Sequence, residues 1–237
     1  TLSKDATSPE DYDSYFDIWA WNDLKQQSTT VSFGWRRYYH AIYIANYIIE
    51  HQTNITEATS DEINQLVGEA YMMRAYCHFL LANLYAEPYT GCNPATTRGI
   101  PLSMVADVNA VLSCNSLEQV YQQVIDDINN AKKYLTVDTW DEGFTYRFNK
   151  ISADALLARV YLYKGDWQNA LAEAKTVIEK HGTLEDLNTS KVLPNYYKSV
   201  ESIVALEQVM TSGYIKIGEP NKALIDTYRT GDKRKSL

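Results

Sequence analysis

The chain has 237 residues, 45% of them apolar, enough for one large or two small domains with a substantial core. Its net charge of −8 argues against nucleic acid or an anionic membrane as partner. No run approaches the roughly 18 consecutive apolar residues that a membrane span needs. Tyrosine outnumbers phenylalanine 19 to 5, a balance that suits wet aromatic surface as well as core.

The first distinctive stretch is "YFDIWAWNDL", residues 15 to 24, with Trp19 and Trp21 two positions apart beside Asn22. It lies outside the regular helical pattern, which begins at Trp35. In a helix the two rings would point to nearly opposite sides. In an extended segment they would project to one side, about 6–7 Å apart, as an aromatic platform. Residues 1 to 34 are therefore expected to be an extended or irregular segment, with Tyr12, Tyr15 and Phe16 adding aromatic area. The competing expectation is that the tryptophans pack this segment onto the helices.

From Trp35 onward the periodicity is helical. "WRRYYHAIYIANYIIE" follows the i, i+3, i+4, i+7 template, and Trp35, which opens it, is expected in the core. "TSDEINQL" supplies a second start, with Ser60 as N-cap and Asp61 and Glu62 in the first turn. That helix runs on to Glu87 and stops at Pro88. A third opens at "NSLEQV", where Ser116 caps and Gln119 completes a capping box. "SADALLARVYLYKG" and "DWQNALAEAKTVIEKHG" form the fourth and fifth, split at Gly165 and ended by Gly182.

Two segments break this pattern. Residues 88 to 115 hold three prolines and two glycines; they read as a binding surface or as a cover over helix ends. Residues 136 to 149, "TVDTWDEGFTYRFN", are aromatic-rich, and Trp140, Phe144 and Tyr146 are candidate ligand contacts. Cys77 falls on a helical apolar face and is expected to be inert core. Cys92 and Cys114 bracket the first loop, either free or joined as a disulfide.

The fourth and fifth helices carry a repeat signature. Leu157, Ala158, Tyr161, Ala170, Ala174 and Val177 sit at the small and aromatic positions of a tetratricopeptide repeat. The second and third helices look like the same unit with residues 88 to 115 inserted at its turn. Such helix pairs bury their faces only by stacking, so the expected fold is an all-α, tetratricopeptide-like scaffold with long inserted loops.

The blocks "WRRYYHAIYIAN", "GEAYMMRAYCHFLLANLYAEPY", "VYQQVIDDINNAKKYL", "NKISADALLARVYLYKGDWQNALAEAKTVI" and "SIVALEQ" resemble, in this order, successive blocks of the SusD/RagB family. "YRTGDKR", Tyr228 to Arg234, resembles that family's segment before its C-terminal half. The resemblance runs from about residue 35 to 235 and implies one helical domain over 35–237. It also implies a non-catalytic surface lipoprotein of Bacteroidetes that binds glycans, or peptides in some branches, as the lid of a TonB-dependent SusC-like outer-membrane transporter. Family members are about twice this long. The C-terminal half, the signal peptide and the anchor cysteine are missing, so the chain reads as a mature fragment, truncated or partly ordered, whose membrane attachment is a lipid anchor outside it.

Nothing in the residues points to catalysis. His40, His51, His78 and His181 lack metal-ligand spacing, and no phosphate loop, nucleophile elbow or HExxH occurs. Asp126 and Asp127 are adjacent on a helix and are expected to face solvent rather than act as paired carboxylates. "DYDSYFD" misses the calcium-loop spacing. No cofactor or metal is implied.

Three binding readings stay open: glycan capture, peptide capture in the repeat groove, or a scaffold that only contacts the transporter. Saccharide rings present apolar C–H faces to aromatic rings and hydroxyls to amides and carboxylates. The candidate contacts for a glycan are Trp19, Trp21, Asn22 and Tyr15, with Trp140, Phe144 and Tyr146 from the second loop.

Overall fold

The computed structural model describes residues 20–21, 34–190, 192, 196–206 and 220–233. They fall into two compact units, one holding residues 34–185 and 196–206, the other the remaining described residues. The first unit carries α1 (Trp35–Glu50), α2 (Ser60–Tyr85), α3 (Leu117–Tyr134), α4 (Lys150–Lys164) and α5 (Trp167–Lys180), with a short antiparallel ribbon of β1 (Arg98–Pro101) and β2 (Cys114–Ser116). In the second unit the regular element among the described residues is α6 (Lys222–Asp226).

Helix starts follow local chemistry. Thr59 rather than Ser60 caps α2, accepting the Glu62 N–H while Glu62 reaches back to the Thr59 N–H at 2.8 Å. Ser116 and Gln119 form the expected box at α3, and Asn149 and Ser152 form another at α4. Gly165 closes α4 at φ 78, a left-handed value that glycine adopts without strain, and Asp166 then caps α5 through the Asn169 N–H. This is the tight hairpin expected there.

The helices pack α1 on α2, α2 on α3, and α4 on α5, the stacked pairs of a tetratricopeptide-like scaffold. Ile42, Met72, Leu81, Val124, Ile128 and Leu157 are wholly buried among them. Gly68 lets α2 come close to the end of α3: a Cβ there would lie 2.9 Å from the Leu135 backbone nitrogen. Cys77 is core, and burial pushes its thiol up to about 12. Cys92 and Cys114 are both free thiols.

Two further expectations fail within this unit. Trp35 sits at the edge of the core, 36% exposed, with its ring against Tyr39 and Tyr85. As the first residue of α1 it has no preceding helical turn to cover it. Asp127 does not face solvent but is fully buried. Arg74 of α2 holds it through bonds of 2.8 and 2.6 Å, and Gln123 adds a third of 3.0 Å. Burial pushes the Asp127 carboxyl upward against the opposing pull of Arg74. Asp126, its neighbour, is exposed as expected.

The insertion at 88–115 is ordered by the helices beneath it. Asn46, itself bonded to Arg74 at 2.9 Å, donates to the Ser103 and Val105 carbonyls at 3.1 and 3.0 Å. The Tyr39 hydroxyl donates to the Pro101 carbonyl at 2.6 Å, and the Ala106 N–H reaches Glu50 at 3.0 Å.

Candidate functional site

The loop over 136–149 begins where α3 ends and closes where α4 begins, so its two ends must meet. Gln65, on the side of α2 beneath it, meets both. Its side-chain oxygen accepts the Thr136 and Val137 N–H groups at 2.9 and 3.0 Å, and its nitrogen donates to the Phe148 carbonyl at 3.0 Å. The Lys150 N–H bonds the Val137 carbonyl at 3.0 Å and completes the neck. A buried amide that satisfies three backbone groups fixes a loop more firmly than contacts at its tip could.

One turn further along α2, Glu69 accepts from Gln65 at 2.8 Å and from Arg147 at 2.7 and 3.2 Å. The Arg147 guanidinium in turn lies 4.1 Å from the centre of the Trp140 ring, a cation–π contact. The Trp140 N–H is bonded to the Phe148 carbonyl at 3.0 Å. Trp140 is therefore half-buried, its polar atom engaged and its ring in contact with a cation.

Phe144 lies 6.3 Å from Trp140, centre to centre, and is 50% exposed, while Tyr146 is 52% exposed. These two rings offer the open aromatic area of the loop. Gly143 precedes Phe144 at φ 99, with open space around its α-carbon, so the chain turns sharply there.

A second segment, 196–206, straps the loop. The Ala205 N–H bonds the Thr145 carbonyl at 3.0 Å, and Lys198 pairs with Glu142. Tyr196 and Tyr197 stand with ring centres 4.6 Å apart, both exposed, and the Lys198 ammonium is 5.5 Å from the Tyr197 ring. Hydrogen bonding with Tyr197, then slight burial and the charge of Glu142 among other neighbours, raises the Tyr196 hydroxyl. Sequence reasoning passed over this pair. Its signal was the "YY" doublet after "PN", the kind of solvent-tolerant aromatic that the tyrosine excess foreshadowed.

Of the other candidates, Tyr15, Trp19 and Asn22 lie outside the described residues. Trp21 belongs to the second unit, is 92% exposed, and has φ 54 in a turn. An extended backbone thus does not pass through Trp21, because its φ lies in the left-handed region. Among the described residues no group of three or more His, Cys, Asp or Glu is placed to hold a metal. No described helix is long and apolar enough to cross a membrane.

The family model SusD-like_3, described as "Starch-binding associating with outer membrane", matches residues 3–162. SusD-like protein P2 of Formosa agariphila is 27% identical over 186 residues, 78% of this chain and 34% of that protein. The chain thus spans about a third of the length of that relative. A solved SusD superfamily protein from Bacteroides thetaiotaomicron is 29% identical with a TM-score of 0.59, covering 66% of this chain and 34% of the other. A solved structure described as a laminarin-binding SusD-like protein is 26% identical with a TM-score of 0.54, covering 68% of this chain and 32% of its own. With a matched region reaching from residue 3 through nearly all of α4, the chain belongs to the SusD-like family.

Proposed function

We propose that this chain binds glycan without catalysis, at the outer face of a bacterial outer membrane, for uptake through a SusC-like TonB-dependent transporter. The observation that carries this reading is the pair of exposed rings, Phe144 and Tyr146, on a loop stapled at its neck by Gln65, with Tyr196 and Tyr197 exposed on the segment that straps that loop. Saccharide binding needs flat apolar rings beside hydrogen-bonding groups, held still so that little order is lost on binding. Tyrosine hydroxyls, Asp141 and Glu142 supply the polar part. The laminarin-binding relative supports a carbohydrate as ligand class. Trp21, with its exposed ring, is a further candidate contact with Trp19 and Asn22 of the same segment.

The test is affinity electrophoresis and calorimetry against a polysaccharide panel, using wild type, Phe144→Ala, Tyr146→Ala and Tyr197→Ala. Loss of one stacking ring is expected to weaken binding about fivefold, corresponding to roughly 1 kcal/mol. Binding to oligopeptides with none to any glycan would move the function to peptide capture.

A further inference from the structure

Resting on the glycan reading above, we propose that the aromatic face selects uncharged saccharides and rejects those carrying carboxylate or sulfate groups. Recognition of an anionic sugar needs an available guanidinium fork or ammonium. Among the described residues, each cation of the loop, of its strap and of their ion pairs already has a carboxylate. Arg147 spends its fork on Glu69, at 2.7 and 3.2 Å, and lays its plane against Trp140. Lys198 is paired with Glu142, and Lys150 with Asp138 at 3.3 Å.

The carboxylates, by contrast, outnumber these cations. The loop and strap carry Asp138, Asp141, Glu142 and Glu201 against Arg147 and Lys198. Their ion-pair partners add Glu69 against Lys150: Glu69 bonds Arg147, and Lys150 pairs with Asp138. Five acids less three bases leave −2 on these described segments, within a chain of net charge −8. Asp141 is exposed beside Phe144 and has no cation partner among the described residues. A uronate or sulfate reaching Phe144 and Tyr146 would meet that excess, or would have to displace from Arg147 the Glu69 carboxylate that Gln65 helps to hold in place. Hydroxyls of a neutral sugar meet no such opposition, since carboxylates accept their hydrogen bonds.

The experiment titrates the chain with laminarin, mannan and starch, with alginate, polygalacturonate and carrageenan, and with the C6-carboxylated derivative of each neutral glycan. At low ionic strength a neutral glycan is expected to bind at least about tenfold tighter than its carboxylated derivative. The ratio should shrink at about 0.5 M salt, where screening shortens the reach of the surface charge. In Asp141→Lys/Glu142→Lys the ratio should fall toward one. An anionic polysaccharide bound as tightly as the neutral one, or a ratio unmoved by the double charge reversal, overturns the selectivity and leaves glycan binding standing. Absence of binding to every neutral and anionic glycan overturns both.

Discussion

Arg147 and Glu69 share two hydrogen bonds of 2.7 and 3.2 Å although 78 positions separate them in the chain. The pair joins the second helix to the aromatic loop, and through the guanidinium it also positions Trp140. Both side chains are partly exposed, so its contribution to global stability is modest, about 1 kcal/mol. Glu69→Gln is therefore expected to leave the unfolding midpoint nearly unchanged. It should instead raise amide exchange across residues 138–147, which hydrogen-exchange mass spectrometry would detect. Unaltered exchange there would mean that the ion pair does not hold the loop.

Gln65→Ala should act differently, because it strips partners from the neck rather than from the tip. The Thr136 and Val137 N–H groups and the Phe148 carbonyl would each lose a buried partner. An unsatisfied buried group costs about 1–3 kcal/mol, so the variant should lose roughly 2–4 kcal/mol in denaturant unfolding. Gln65→Glu should recover none of that loss, because its second carboxylate oxygen would face the Phe148 carbonyl and the Glu69 carboxylate to which the amide nitrogen now donates.

The buried pair of Arg74 and Asp127 makes a third case. Arg74→Met leaves an unpartnered carboxylate in the core and is expected to destabilise by about 3–5 kcal/mol. The double variant Arg74→Met/Asp127→Leu should regain most of it, since the lone charge is gone. Arg74→Met also removes the bond that Asn46 accepts, so proteolysis within residues 103–112 should quicken. A double-mutant cycle with no coupling would refute the assignment.

His78 predicts acid sensitivity. It is fully buried with both ring nitrogens lacking a hydrogen-bond partner, and burial, aided by the charge of Arg74, pushes it down to about 3. An unfolded histidine titrates near about 6.5, so between these values the unfolded chain binds the extra proton. Stability is thus unaffected at pH 7 and is lost as pH falls below about 6.5, by at most about 1.4 kcal/mol per unit down to about 3. His78→Leu should flatten this part of the profile. Urea midpoints for both proteins at pH 7, 5 and 4 give the check, and identical slopes would contradict it.

Much of the scaffold could be read from local signals. The capping box at Ser116, the hairpin at Gly165 and the span of α1 all depend on residues within one or two turns of each other. What escaped depends on distant partners. Asp127 reads as solvent-facing until Arg74 is brought to it across 53 positions. The ribbon of β1 and β2 is only 4 and 3 residues long, too short for alternation to register, and it contains Gly99 and Pro101. At the site, Trp140, Phe144 and Tyr146 were legible as an aromatic cluster. The division into an anchored Trp140 and two open rings required the positions of Arg147 and Phe148. The segment of Tyr196 and Tyr197 is tied to this loop by the pairing of Lys198 with Glu142 and by the Ala205 N–H on the Thr145 carbonyl, partners distant in the sequence.

The insertion at 88–115 has one consequence for how its sequence can vary. Tyr39, Asn46 and Glu50 hold it by gripping main-chain atoms of residues 101 to 106, not their side chains. The three grips lie seven and four positions apart on α1, along one stripe of that helix. The path of residues 101 to 106 is thus encoded in α1, beside the β1–β2 ribbon that flanks it, while the side chains of Ser103, Met104 and Val105 are free to be rewritten. Replacing those three together should leave the route intact, whereas exchanging Asn46 alone should reroute it.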